Sequence, residues 1–268
     1  MAIRELLRKY DIRLNKGLGQ HFLSDAGQLK KIANAASLTK DDIVLEVGTG
    51  IGTLTKYLAE KAGFVVSVEL DKKLIPAAKE YLKDFDNVEL VNNDIMKCNI
   101  PKLLAGHPGY KHKKVVANVP YYITTPLITL FIESKAKFES IVMTIQNEVA
   151  ERIVSKPGIK QYGSFTVYVN YYTKPEVKFR IPNSAFVPPP EVGSAVIRLD
   201  ILDKPSVKVE DEKLFFRVVR AAFNQRRKML KNTLEAANIK WPAGSDIDGK
   251  RRGETLSIEE FAKLADSV

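Results

Sequence analysis

The chain has 268 residues, is 45% hydrophobic and carries a formal charge of +10 at neutral pH. This length suits one large domain, or one domain with a small companion, around a core of ordinary size. It contains no run of about 18 apolar residues, which excludes a membrane-spanning helix. Its single cysteine, Cys98, excludes an internal disulfide and fits a reducing cytoplasm.

Residues 1–20 hold Arg4, Arg8, Lys9, Arg13 and Lys16 and few apolar residues after Leu7. They read as a flexible basic arm, too charged at the start to be a signal peptide. In the block that follows, Lys16-Gly17-Leu18-Gly19-Gln20-His21-Phe22-Leu23-Ser24-Asp25, either Ser24 or Asp25 can cap a helix running to about residue 36. From residue 40 to 200 strand and helix patterns alternate, which predicts βαβ units and a parallel sheet. Strands are expected over 43–47, 64–68, 88–91, 114–117 and 140–145. Each ends in polar residues: Glu69-Leu70-Asp71 after the second, Asn92-Asn93-Asp94 after the third, Asn118 after the fourth, Gln146-Asn147-Glu148 after the fifth. Open α/β sheets bind ligands along that carboxyl edge.

The first strand runs into Gly48-Thr49-Gly50-Ile51-Gly52-Thr53, a tight strand-to-helix turn whose glycines let a bound molecule approach the backbone. A dinucleotide site reads G-x-G-x-x-G, and Thr53 stands where its third glycine would be. Without Gly-Lys-Ser/Thr the loop is not a P-loop either. Preceded by Glu46, it is similar to motif I of S-adenosylmethionine-dependent methyltransferases. Glu69 follows Gly48 by about 20 residues, the distance at which an acid can accept bonds from ribose hydroxyls. Asp94 can accept a bond from an adenine amino group, with Ile95 packed on the ring; the plainer alternative for either acid is a helix cap or a solvated turn.

Asn118-Val119-Pro120-Tyr121 carries the most specific chemistry. The lone pair of an adenine amino group is delocalised into the ring, so the group is a poor nucleophile. The Asn118 amide oxygen and the Val119 carbonyl can both accept its hydrogens and favour a tetrahedral nitrogen. Pro120 fixes the turn without donating a competing bond, and Tyr121 offers a face for stacking.

Together with Gly19-Gln20-His21-Phe22-Leu23, Glu46-Val47-Gly48-Thr49-Gly50, Val68-Glu69-Leu70-Asp71, Asn93-Asp94, Gln146-Asn147-Glu148-Val149-Ala150 and Phe186-Val187-Pro188-Pro189-Pro190-Glu191-Val192, this motif resembles the ribosomal RNA adenine N6,N6-dimethyltransferase family that acts near the 3′ end of small-subunit RNA. The motifs fall in family order over nearly the whole chain. The resemblance implies that His21, Leu23, Gly48, Gly50, Glu69, Asp94, Ile95 and Asn118 border S-adenosylmethionine. It further implies that Asn118, Val119, Pro120, Tyr121 and Phe186 hold the target adenine, with Phe186 facing Tyr121 across it. Two departures are small: Val119 stands where Leu or Ile is usual, and Thr49 where Pro is common.

Over residues 164–172 the alternation of Phe165, Val167 and Val169 reads as a strand, whereas the resemblance implies a helix; the helix is the expectation adopted. A last pair of strands is expected over 176–181 and 194–200, joined by a proline-stiffened loop that presents Phe186. A boundary is placed at Asp203-Lys204-Pro205, giving a methyltransferase domain over 1–203 and a small helical domain over 204–268. In the second, Phe215, Val218, Val219 and Ala222 share an apolar helical face, a basic helical stretch around Arg226, Arg227 and Lys228 follows, and a terminal helix starts at Ser257.

The expected fold is therefore α/β, a Rossmann-like S-adenosylmethionine-dependent methyltransferase domain with an all-α C-terminal domain. The expected activity is methyl transfer to N6 of two adjacent adenosines in the last hairpin of 16S-type RNA. Arg4, Arg8, Arg226, Arg227, Lys228 and Arg252 are the expected phosphate contacts. A cytoplasmic monomer acting on a partly assembled small subunit is expected, without a metal, because the histidines and the cysteine lack ligand spacing. The competing readings are a DNA adenine methyltransferase, a ribosome assembly or transcription factor with a relic pocket, and a dehydrogenase.

Overall fold

The computed structural model describes Glu5, residues 8–12 and residues 21–268. Arg4, Arg13, Lys16, Gly19 and Gln20 lie outside the described residues, and with them most of the expected basic arm. Among the described residues no helix is long and apolar enough to cross a membrane.

The chain divides into two compact units, residues 1–147 with 176–201, and residues 148–175 with 202–268. The first unit begins with a short strand β1 (Phe22–Leu23) and helix α1 (Ala26–Ala35), which Asp25 caps by accepting the Gln28 N–H at 2.9 Å. Then β2 (Asp42–Val47), α2 (Thr53–Lys61), β3 (Phe64–Glu69), α3 (Ile75–Tyr81), β4 (Val88–Asn92), α4 (Ile100–Ala105), β5 (His112–Asn118), α5 (Thr124–Ile132) and β6 (Ser140–Gln146) alternate as the periodicity predicts.

Helices α6 (Asn147–Ile153) and α7 (Ser164–Tyr172) follow, and then β7 (Thr173–Ile181), β8 (Phe186–Val187) and β9 (Ser194–Ile201). The large sheet has the order β4-β3-β2-β5-β6-β9-β7. Its first five strands are parallel and β9 is antiparallel to β6. From β2 the chain winds outward through β3 and β4, then crosses to start again at β5. The switch between the two directions lies between the ends of β2 and β5, where Val47 pairs with Ala117, and open sheets place their ligand crevice at such a point. One face is covered by α1 and α2, whose Leu29, Ile32, Leu54 and Leu58 pack with Val44, Val116, Val142 and Val196.

The second unit adds α8 (Glu212–Asn224), α9 (Leu230–Ala236) and α10 (Ile258–Asp266). Its division from the first differs from the boundary expected near 203, because residues 148–175 join it. The reason is aromatic packing: Tyr171 of α7 is 2% exposed and stacks on Phe215 of α8 with ring centroids 5.0 Å apart. The same packing overrides the strand-like alternation of 164–172. β-branched and aromatic residues favour strands only where a pleated surface receives them. Here Phe165, Tyr168 and Tyr172 form a ring ladder at helical spacing instead, and the Thr166 hydroxyl accepts the Gly163 N–H at the helix start. Ser257 caps α10 in a reciprocal pair with Glu260. Gln225, Arg226, Arg227 and Lys228 lie in the turn between α8 and α9, not on a helical face.

Candidate functional site

A cavity with roughly 1100 Å³ of empty space, its open mouth included, lies at the switch point. The ends of four successive strands build it. Gly48 and Gly50 follow β2, Glu69 ends β3, Asn93 and Asp94 follow β4, and Asn118 ends β5. The fifth strand end does not take part: Asn147 starts α6 and donates its backbone N–H to the Gly193 carbonyl.

The glycine loop is held open by backbone geometry. Gly48, Gly50 and Gly52 have φ of 84°, 58° and 90°, values that side chains other than glycine rarely adopt. A Cβ on Gly48 would also stand 3.0 Å from the Asn118 carbonyl oxygen, and one on Gly50 would stand 2.9 Å from the Phe22 ring. At these two positions the loop can pass between its walls only without a side chain.

Glu69 is 7% exposed, and both its oxygens are engaged: Oε2 accepts the Gly50 N–H at 2.8 Å and Oε1 the Asp71 N–H at 2.9 Å. Burial pushes its carboxyl above the ordinary range, with these two N–H bonds opposing the rise. Each oxygen keeps a second lone pair for a ligand hydroxyl. Asp94 combines both readings made for it. It lines the cavity, and its Oδ1 also caps a short turn by accepting the Met96 N–H at 3.0 Å. Ile95, 5% exposed, adds an apolar wall.

At the end of β5 Asn118 and the buried Val119 line the cavity. Neither the Asn118 amide nor the Val119 carbonyl has a hydrogen-bond partner among the described residues. Two acceptors are thus left open side by side. Pro120 and Tyr121 complete this wall. The Tyr121 hydroxyl lies 2.6 Å from that of Ser194, and its ring stacks near His21 at 6.4 Å between centroids. His21 is in turn tied through Nδ1 to the Pro188 carbonyl at 2.8 Å. Antiparallel pairing of β1 with β8 sets Leu23 opposite Phe186. Both are 2% exposed, belong to the core behind the site, and line the cavity.

Beneath the loop is a buried chain of hydroxyls that sequence reasoning missed. Thr49 Oγ1 lies 2.5 Å from Ser67 Oγ, which donates to Glu46 Oε2 at 2.5 Å; Thr55 Oγ1 donates to the same oxygen at 2.6 Å. Glu46 is fully buried, its Oε1 has no partner, and burial pushes its carboxyl up to about 8. The protonated form keeps an unpaired charge out of the interior. Its only local trace is an acid inside an apolar strand, in Val44-Leu45-Glu46-Val47.

The expected phosphate contacts do not share one environment. Arg8, Arg226, Arg227, Lys228 and Arg252 are all exposed, but their side chains are not equally free. Arg226 is committed within its own unit: its guanidinium donates to the Lys160 carbonyl at 3.0 Å and to the Tyr162 carbonyl. Arg4 lies outside the described residues.

The chain is similar to known proteins over nearly its full length. The family model described as ribosomal RNA adenine dimethylase matches residues 12–268. Ribosomal RNA small subunit methyltransferase A of Alkaliphilus oremlandii is 45% identical over 273 residues, covering 99% of this chain and 95% of that protein. A dimethyladenosine transferase from Plasmodium falciparum has a crystal structure that superimposes with a TM-score of 0.75 at 26% identity, covering 91% of this chain and 96% of that one. The 23S rRNA methyltransferase ErmE superimposes at 0.72 with 25% identity, covering 92% and 98%. One α/β fold thus serves methyltransferases of different ribosomal RNAs, and this chain belongs to the ribosomal RNA adenine dimethylase family.

Proposed function

We propose that the protein transfers methyl groups from S-adenosylmethionine to N6 of two adjacent adenosines in the 3′-terminal hairpin of small-subunit ribosomal RNA, giving N6,N6-dimethyladenosine. It acts in the cytoplasm, as a monomer, on a partly assembled small subunit. Similarity to small-subunit methyltransferases over 99% of the chain supports the choice of RNA.

The cavity suits the cofactor. The side-chain-free passage at Gly48 and Gly50 admits a ligand against the backbone, the Glu69 carboxylate is an acceptor for ribose hydroxyls, and Asp94 with Ile95 receives an adenine. His21 and Leu23 close the wall. When bound, S-adenosylmethionine supplies an electrophilic methyl group.

The observation that carries the reading is the pair of open acceptors at Asn118 and Val119. Both accept the hydrogens of the target amino group, draw its lone pair out of conjugation and stabilise the charge that develops on nitrogen. Pro120 keeps a competing donor away. Tyr121 and Phe186 hold the base after it leaves its stack. Placing the reactants in one geometry supplies much of the remaining rate.

Single-turnover transfer of labelled methyl to small-subunit particles tests this. Asn118→Ala is expected to lose about 100- to 1,000-fold in rate with RNA binding retained. Asn118→Asp keeps an acceptor and is expected to retain part of the activity. Near-normal transfer by Asn118→Ala would overturn the assignment.

A further inference from the structure

The 12 Phe, 10 Tyr and 1 Trp of the sequence all lie among the described residues, and of these Tyr122 alone is exposed, at 65%. Its position is not arbitrary. Tyr122 lines the mouth of the cavity directly after Tyr121, and Leu70, 54% exposed, lines the same mouth from the end of β3. Yet the two tyrosines are held differently. Tyr121 is pinned through Ser194 and stacks near His21, whereas no ring contact or hydrogen bond among the described residues engages Tyr122.

We propose that Tyr122 is a stacking platform for the unpaired nucleobase next to the target adenine. The inference rests on the reading of the cavity as the pocket of a flipped adenine. A base that enters such a pocket leaves its neighbour without a stacking partner. An aromatic ring in water at the mouth, one residue from the ring that receives the target, replaces that partner. Consecutive Cα atoms are about 3.8 Å apart, so the two tyrosines leave the backbone at neighbouring points of the cavity wall. Stacking of this kind tolerates any base, because every base has a π face. With two adjacent adenosines as substrates, the same ring holds whichever of the two is outside the cavity. It keeps the strand bound while they exchange.

The test couples Tyr122 to the base it is assigned. Small-subunit particles are reconstituted with RNA that carries an abasic nucleotide at one of the two adenosines. Their affinity, and methylation of the remaining adenosine, are measured for wild type, Tyr122→Ala, Tyr122→Phe and Tyr122→Trp. The abasic neighbour is expected to weaken wild-type binding about tenfold, and Tyr122→Ala to weaken binding to intact RNA by a similar factor. The two losses are expected not to add, the mark of a direct interaction. Phe and Trp are expected to retain the wild-type response, and Tyr122→Ala to make intact RNA release more often after one adenosine is modified. Fully additive losses, with the remaining adenosine still methylated, would overturn the platform alone. Absence of methylation on intact RNA by wild type would overturn the pocket reading and the platform together.

Discussion

Tyr121 and Ser194 are joined by a hydrogen bond of 2.6 Å between their hydroxyls, although they stand 73 positions apart in the chain. Ser194 is fully buried at the start of β9, and burial raises the Tyr121 phenol above its usual range, so the phenol stays protonated and able to donate. The bond fixes the ring that is proposed to carry the target base. Ser194→Ala is expected to leave cofactor affinity unchanged and to lower single-turnover methylation by about three- to tenfold, the equivalent of one net hydrogen bond. Ser194→Thr, which keeps the hydroxyl, is expected to recover part of that loss. Equal rates for Ser194→Ala and wild type would remove the residue from the site.

Glu69→Ala is expected to weaken S-adenosylmethionine binding by roughly 1.5–3 kcal/mol, the cost of losing a charged acceptor, with little change in RNA affinity. Because burial already raises this carboxyl, cofactor affinity in the wild type should fall on acidification earlier than an ordinary carboxylate would dictate. Calorimetric titration at several pH values reads both effects.

Glu46 sets a pH dependence of stability. Its carboxyl has an ordinary value of 4.5 and is pushed up to about 8 in the folded protein. Between these values the unfolded chain releases the proton while the folded chain keeps it. Rising pH therefore favours unfolding across that window. The contribution is complete below the ordinary value and lost as pH rises through the folded one, a few kcal/mol at most at about 1.4 kcal/mol per unit. Glu46→Gln keeps an acceptor for Thr55 and Ser67 and has no proton to lose. Its thermal midpoint should vary less than that of wild type from about pH 5 to 8. Parallel profiles would show that Glu46 does not titrate in this range.

The basic residues around 226–228 separate into two roles. Arg227 and Lys228 are exposed, and replacing them together should lower the log–log salt slope of RNA binding by about 0.7–0.9 for each phosphate they neutralise. Arg226 spends its guanidinium on two carbonyls of its own unit. Arg226→Ala should therefore lower the thermal midpoint, with a smaller effect on the salt slope. An unchanged slope in the Arg227→Ala, Lys228→Ala double variant would make both residues a solvated face.

Sequence alone determined the positions of the glycine loop, Glu69, Asp94 and Asn118. A chain that alternates strand and helix must bring the carboxyl ends of its parallel strands to one edge, so a polar residue after each apolar run can be assigned to that edge from local pattern. Tertiary structure alone decided the rest. That Ser194 meets Tyr121 depends on the pairing of Asn118 with Thr144 and of Thr144 with Val196, a two-step register absent from hydropathy. That Glu46 is buried against Ser67 depends on the same cross-strand pairing between β2 and β3. Residues 164–172 form a helix because the α8 side chains, far along the chain, offer their rings a packed surface, and Arg226 is occupied because two carbonyls more than 60 positions earlier come within its reach. Periodicity records which side of an element is buried; which side chain it meets there is set by the packing of elements distant in sequence.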